Sequence, residues 1–110
     1  MSDHDPLALI KQTYDLLDDN FDAIYVKCVT PDQKTMLIAL RDAARDAFWR
    51  AVAEHLSDNH AVIALTINEL QDTNTKIQAD VETLSNISDF LDTVTQGVKL
   101  AGALVTLAAA

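Results

Sequence analysis

Apolar and polar positions follow a helical period from the beginning of the chain. Apolar side chains recur at spacings of three and four residues, which places them on one stripe of a helix. The stripe consists of Leu7, Ile10, Tyr14, Leu17, Phe21, Ile24 and Cys28. Asp5 and Pro6 are typical of a helix start, because Asp accepts from exposed backbone N–H groups and Pro needs no donor there. The pattern predicts a first amphipathic helix over residues 6–29.

A second amphipathic helix is predicted to begin after a capping box. Thr30 fits the N-cap, Pro31 the first helical position and Gln33 the third position of the box. An Ala-rich apolar stripe follows on one face of this helix, with the members Leu37, Leu40, Ala44, Phe48, Ala51, Val52 and Leu56. Residues 57–59 are Ser, Asp and Asn, which favour caps and turns, so we place the second turn there.

From Ile63 onward an apolar residue recurs every seven positions, as in coiled-coil-like packing. The repeat consists of Ile63, Leu70, Ile77, Leu84, Leu91, Val98 and Val105. It runs unbroken through residues 85–88, which favours one long third helix of roughly 70 Å. The alternative is a break near Asn86, which would give four helices of similar length. We therefore expect one all-α domain covering residues 1–110, an elongated antiparallel bundle of three long helices, or four if the third is broken.

Composition limits the classes of function. Only two Gly and two Pro residues in 110 disfavour folds with many tight turns. A formal net charge of −9 repels nucleic acids and anionic lipid headgroups, so we expect no direct nucleic-acid binding. One cysteine cannot form an internal disulfide, and the N-terminal residues lack a secretory signal pattern. A cytoplasmic location is the expectation.

The residue pattern indicates no enzyme, no cofactor and no metal site. Cys28 lies on an apolar stripe, where a small buried hydrophobe is the ordinary interpretation. The histidines form neither Glu-x-x-His nor His-x-x-x-His, the spacings that helix-borne metal sites use. Asp18, Asn20 and Asp22 resemble only the start of a calcium loop, because Val29 stands where its bidentate Glu belongs.

Four aspartates form an acidic patch on the outer face of the first predicted helix: Asp15, Asp18, Asp19 and Asp22. A solvated helix face is the ordinary interpretation of such a patch. The alternative is that it docks into a basic site on a partner, as an acidic inhibitor or a nucleic-acid mimic would.

The segment from Thr93 to Ala110 contains one charge, Lys99, and is apolar on every face near its end. Such a helix must be buried against something. It can close the core of this chain, bind a partner, or insert reversibly into a membrane, although its apolar run is short for a membrane-spanning helix. The partner-binding surface that we predict consists of Val98, Leu100, Ala101, Leu104, Val105 and Leu107.

Asn74 interrupts the third predicted helix at a position that should be apolar. Surface exposure is the ordinary expectation. The alternative is a buried Asn that fixes helix register or oligomeric state at some cost in stability.

These features together predict a non-enzymatic helical interaction protein. It would associate with itself or serve as the small subunit of a helical complex. Two alternatives are an acidic inhibitor that acts through the acidic patch, and a membrane-active helical component that inserts its C-terminal segment.

Overall fold

The computed structural model describes residues 5–54 and 61–108, and within these ranges the chain forms α-helices and no strand. The helices are α1 (Pro6–Asp19), α2 (Phe21–Lys27), α3 (Pro31–Ala53), α4 (Ala61–Val81) and α5 (Ile87–Ala108). The all-α class is confirmed. The turn predicted at residues 57–59 and the stripe member Leu56 lie outside the described residues.

Both predicted helix starts are confirmed by their capping hydrogen bonds. The Asp5 carboxylate accepts from the backbone N–H of Leu7 at 3.1 Å. The Thr30 hydroxyl accepts from the backbone N–H of Gln33 at 3.1 Å, and the Gln33 side chain accepts in return from the Thr30 N–H at 3.2 Å. This capping box satisfies donors that the first turn of α3 would otherwise leave free.

The first predicted helix is divided at Asn20, which the periodicity did not indicate. The Asn20 backbone leaves the helical region with φ −107° and ψ 11°. Its side-chain Nδ2 donates to the carbonyl of Leu16 at 2.8 Å and so replaces a backbone donor at the end of α1. The apolar stripe continues across the break, since Leu17 and Ile24 on either side are fully buried.

One continuous third helix is wrong, and the chain has the alternative, a break near Asn86. After α4 the backbone N–H groups of Thr83 and Leu84 both donate to the carbonyl of Asp80, at 3.2 and 2.9 Å. The Asn86 side chain then caps α5 by accepting from the Asp89 N–H at 3.1 Å. Because the helix folds back here, the longest axis of the molecule is 42 Å, well short of the expected 70 Å.

Within the described ranges, the buried residues form two core clusters. The end cluster lies near the chain termini and consists of Leu9, Ile10, Ala47, Ala51, Ile63, Ile67, Leu70, Ala101, Leu104, Val105 and Ala108. The turn cluster lies near the α2–α3 and α4–α5 turns and consists of Leu17, Ile24, Cys28, Leu37, Ala44, Ile77, Phe90, Leu91 and Val94.

The four longer helices cross these clusters in alternating directions. From N-terminus to C-terminus, α1 and α4 run from the end cluster to the turn cluster, whereas α3 and α5 run from the turn cluster to the end cluster. Helix α1 packs beside α3 and α4, and α5 packs beside the same two helices from the opposite corner. Helical bundle packing follows from this arrangement.

Candidate functional site

The structure buries half of the predicted partner-binding surface in the core of the chain itself. Ala101, Leu104 and Val105 are at most 1% exposed and belong to the end cluster. Val98 and Leu100 are half-buried against the two clusters, and Leu107 is 45% exposed. Another molecule can therefore reach only Leu107 freely, and binding through the buried three requires α5 to leave its place in the bundle. Partner binding through this set stays a prediction.

The acidic patch is on the surface, as its spacing predicts. Asp18, Asp19 and Asp22 are exposed, while Asp15 is half-buried and holds the Lys11 Nζ at 2.6 Å. This hydrogen bond, and the charge of the Asp15 carboxylate, raise the pKa of Lys11. No cation of the described residues forms an ion pair with the other three aspartates. Those three carboxylates face solvent.

Cys28 lies in the turn cluster and is 7% exposed. Its Sγ donates weakly to the carbonyl of Ile24 at 3.5 Å. Burial raises the pKa of the thiol, against the opposing effect of the nearby Lys34 charge. Because the thiolate is the reactive form, this environment makes Cys28 a poor nucleophile.

Among the described residues, no group of three or more His, Cys, Asp or Glu side chains could hold a metal ion. The second turn predicted at residues 57–59, and His55 and His60 on either side of it, lie outside those residues.

Over residues 5–54 and 61–108, no helix combines the length and apolar character needed to cross a membrane.

Asn74 is fully buried, so the expectation of surface exposure is wrong and the buried alternative is what the structure has. Thr13 Oγ1 donates to Asn74 Oδ1 at 2.8 Å. Asn74 Nδ2 donates to the carbonyl of Leu9 at 3.1 Å and to Gln12 Oε1 at 3.2 Å. Every polar atom of the amide thus has a partner on α1, which removes most of the cost of burying it.

This amide belongs to a polar layer between the end cluster and the turn cluster. On α1, Thr13 separates Ile10 from Leu17, and on α4, Asn74 separates Leu70 from Ile77. Gly97 occupies the corresponding level of α5, where a Cβ would lie 3.1 Å from Ile77 Cδ1 and 3.3 Å from Thr73 Cγ2. The absent side chain lets α5 approach α4 closely at the polar layer.

A second surface, which the stripe analysis missed, follows one flank of α3. Its six members recur at spacings of three and four: Lys34, Ile38, Arg41, Arg45, Trp49 and Val52. We call this set the cationic stripe, because it holds three basic residues and no acidic one. The spacing is visible in the sequence, but Asp42 and Asp46 next to Arg41 and Arg45 favour the interpretation of ordinary surface ion pairs.

The apolar members of the cationic stripe are exposed to an unusual degree. Trp49 is 59% exposed, Val52 48% and Ile38 39%. The placement of Val52 on the buried stripe of this helix is therefore wrong, and Ala47, which that stripe did not include, is buried. The reason is that α3 buries a narrow face lined by Ala, which leaves larger side chains at its edge outside.

Aromatic rings form cation–π contacts with two of the basic residues of this stripe. The Arg41 guanidinium carbon lies 4.0 Å from the centroid of the Phe21 ring, and Lys34 Nζ lies 5.3 Å from that of Tyr25. The Phe48 ring stacks on Tyr14 at 6.1 Å and contacts Trp49 at 5.2 Å. Five of the six aromatic residues therefore line the seam between α3 and the first two helices.

The fold and these two features define the class of the protein, a helical bundle with a buried polar layer and a cationic, aromatic flank. No family model, no curated protein and no solved structure matches this chain.

Proposed function

We propose that this chain is a non-enzymatic helical interaction protein that binds an acidic amphipathic helix of a partner along the cationic stripe. The observation that carries the proposal is Trp49, the single tryptophan, which is 59% exposed between Arg45 and Val52. Tryptophan and arginine are the residues that most often dominate binding energy at protein interfaces. The chain would then act as the small subunit of a helical complex.

The distribution of charge supports an acidic partner. The chain has a formal net charge of −9, yet α3 holds four of its eight basic residues. Arg45 contacts Asp42 at 3.4 Å, but their side chains are each about half exposed, so this pair contributes little. An acidic helix would be attracted to the stripe and repelled by the acidic patch, which would orient it along α3.

The spacing of the stripe supports a helical partner. Side chains three and four residues apart on a helix form ridges, and the ridges of another helix can pack into the grooves beside them. Coiled-coil-like packing is a separate expectation for the seven-residue repeat of residues 63–105, where the sequence predicts it. A cytoplasmic location belongs to the same proposal, since the chain has a single cysteine and therefore no internal disulfide of the kind that secreted domains use.

The test uses the fluorescence of Trp49 and two synthetic peptides. One is an amphipathic helix with Leu at core positions and Glu on both flanks, and the other has Lys in place of every Glu. We expect the Glu peptide alone to bind and shift the Trp49 emission to the blue. Arg45→Glu should weaken this binding by about tenfold or more, because it replaces attraction by repulsion.

Lys76→Glu is the matched control, since Lys76 on α4 is also exposed and also contacts an aspartate, Asp80, at 3.2 Å. It changes the net charge as Arg45→Glu does but lies off the stripe. Equal binding of both peptides, or equal weakening by both variants, would contradict the proposal.

A second candidate function rests on the exposure of Asp18, Asp19 and Asp22 without ion-pair partners among the described residues. An acidic inhibitor would place these carboxylates in a basic site. Such a protein should bind the Lys peptide rather than the Glu peptide, and should lose binding when the acidic patch is changed to Asn.

A further inference from the structure

The turn between α4 and α5 lies within an apolar repeat that continues on both sides of it. The seven-residue apolar repeat continues in register from Ile63 to Val105, across residues 82–86. None of those five residues is Gly or Pro, the usual residues at a helix end. The sequence of the turn is therefore compatible with a helix that simply continues.

The hairpin is closed at a conformational cost. Leu84 has φ 47°, in the left-handed region where a β-carbon crowds the following carbonyl. What favours closure is local as well: the hydrogen bond from the Thr83 N–H to the Asp80 carbonyl and the Asn86 cap on α5. The Leu84 N–H bond to the same carbonyl spans four residues and is also made in a continuous helix. A continuous helix would relieve Leu84 and give residues 82–86 regular backbone hydrogen bonds, but it would lose that cap. The backbone cost at Leu84 therefore favours the continuous helix, and the local hydrogen bonds of the turn favour the closed hairpin.

We propose that two copies of this chain exchange α5. The turn of each copy opens into a continuous helix from α4 to α5, and the α5 of one copy takes the place of the other copy's α5. This assembly does not involve the cationic stripe, so it stands apart from the proposed function of α3. It gives the predicted partner-binding residues Ala101, Leu104 and Val105 an intermolecular role without exposing them to solvent.

The close packing around α5 favours a second copy of this chain as the molecule into which α5 inserts. Gly97 fits against Thr73 and Ile77 so closely that a single added carbon would lie 3.1 Å from its neighbour. Another copy of this chain provides that surface unchanged, and every buried contact of α5 is then restored between the copies. Exchange of an identical element in this way is a low-cost route to a dimer.

The length of the opened helix and the exposed residues at the turn end of the bundle both agree with an exchange of α5. An opened α4–α5 helix would be about 70 Å long at 1.5 Å per residue, so it would extend beyond one bundle with a long axis of 42 Å and through most of a second. The bundles would then meet at their turn ends. Val26 in α2 and Val29, which follows α2, lie at that end and are 75% and 79% exposed. Contact between the two turn ends would cover both side chains.

Two hinge substitutions should shift the monomer–dimer equilibrium in opposite directions. Leu84→Gly removes the cost of the left-handed residue and weakens the continuous helix. We expect it to raise the dimer dissociation constant about a hundredfold, since each of the two hinges contributes about tenfold. Asn86→Ala removes the cap of the closed turn and favours the continuous helix, so it should lower that constant about tenfold or more.

The equilibrium is measured by light scattering after size-exclusion chromatography, on full-length chains refolded over a range of concentrations. Asn68→Ala is the control for a general gain in helix propensity, because Asn68 is exposed within α4 and away from the hinge. It should leave the dissociation constant unchanged. If Asn86→Ala remains a monomer at every concentration, or if both hinge variants shift the equilibrium in the same direction, the proposal is wrong.

A disulfide distinguishes exchange from docking of two closed bundles. Thr73→Cys and Gly97→Cys are introduced together with Cys28→Ala, because the Gly97 β-position and Thr73 Cγ2 would lie only 3.3 Å apart. In an exchanged dimer the oxidised pair joins two chains, and a non-reducing gel shows a covalent dimer. A dimer whose oxidised chains run as monomers would overturn the exchange.

Discussion

At the scale of single residues, Asn74 shows how a polar side chain can be accommodated at the centre of an apolar core. Its amide is fully buried and is bonded to Thr13, Gln12 and the Leu9 carbonyl, all on α1. A slide of α4 along α1 by one turn would place this amide among apolar side chains and leave it without partners. The polar layer therefore favours one register of α4 on α1 over its neighbours.

Asn74→Asp tests the role of the Asn74 amide in the polar layer, because the side chains of Asn and Asp have nearly the same shape. The carboxylate lacks the N–H groups that bond to Leu9 and Gln12, and burial without a cation should raise its pKa. We expect a loss of about 3 kcal/mol or more in the free energy of unfolding at pH 7. Because the folded-state pKa is raised, the loss should grow as the pH rises and shrink as the pH falls toward 4.

Urea unfolding followed by circular dichroism at pH 7 and pH 4 measures both effects. The exposed Asn68→Asp serves as the control, with little change expected at either pH. A loss of equal size at both pH values would contradict a buried, charged side chain at position 74.

At the scale of the helix, the two glycines of α5 have different surroundings although they lie five residues apart in sequence. A Cβ on Gly97 would meet Ile77 and Thr73, whereas a Cβ on Gly102 would have no atom within 4 Å. Gly97 is therefore needed for the approach of α5 to α4, and Gly102 only weakens the helix.

Substituting each glycine by alanine separates these two roles. Gly102→Ala should raise the free energy of unfolding by about 0.5–1 kcal/mol, the ordinary gain in helix propensity where the added methyl group meets no neighbour. Gly97→Ala should lower it by about 1 kcal/mol, because overpacking outweighs the gain in propensity. Thermal unfolding of both variants gives the comparison. An equal rise in the two melting temperatures would show that the polar layer can adapt to a larger residue.

At the scale of the whole molecule, α5 completes the core. It contributes Phe90, Leu91 and Val94 to the turn cluster and Leu104 and Val105 to the end cluster. Of the three uses that the sequence allows for the apolar C-terminal segment, closing the core of its own chain is the one that the folded structure contains.

Leu104 and Leu107 provide a matched pair for this point, since they are 0% and 45% exposed on the same helix. Leu104→Asp places a charge in the end cluster and should lower the free energy of unfolding by about 3–5 kcal/mol. Leu107→Asp should change it by less than about 1 kcal/mol. Helical circular dichroism of both variants during urea unfolding is the measurement. A Leu104→Asp protein as stable as Leu107→Asp would mean that α5 does not close this core.

The sequence by itself determined the all-α class, the two capped helix starts and most of the buried positions. These follow from local physics, since a cap bonds within one turn and an apolar stripe reflects the period of the helix on which it lies. The exposed acidic patch could be predicted for the same reason. The cationic stripe has an equally regular spacing, but its meaning depends on Phe21 and Tyr25, which only the fold brings beneath its cations.

Only the tertiary structure decided whether α4 and α5 form one helix or two. A continuous helix and a folded hairpin bury the same seven-residue stripe, so periodicity cannot distinguish them. Within one molecule, the hairpin is what allows α5 to pack against α1, α3 and α4 of its own chain. The same holds for Asn74, whose partners lie more than 60 positions away in the sequence. Burial of a polar residue is decided by whether the fold supplies its hydrogen bonds, and no local pattern contains that information.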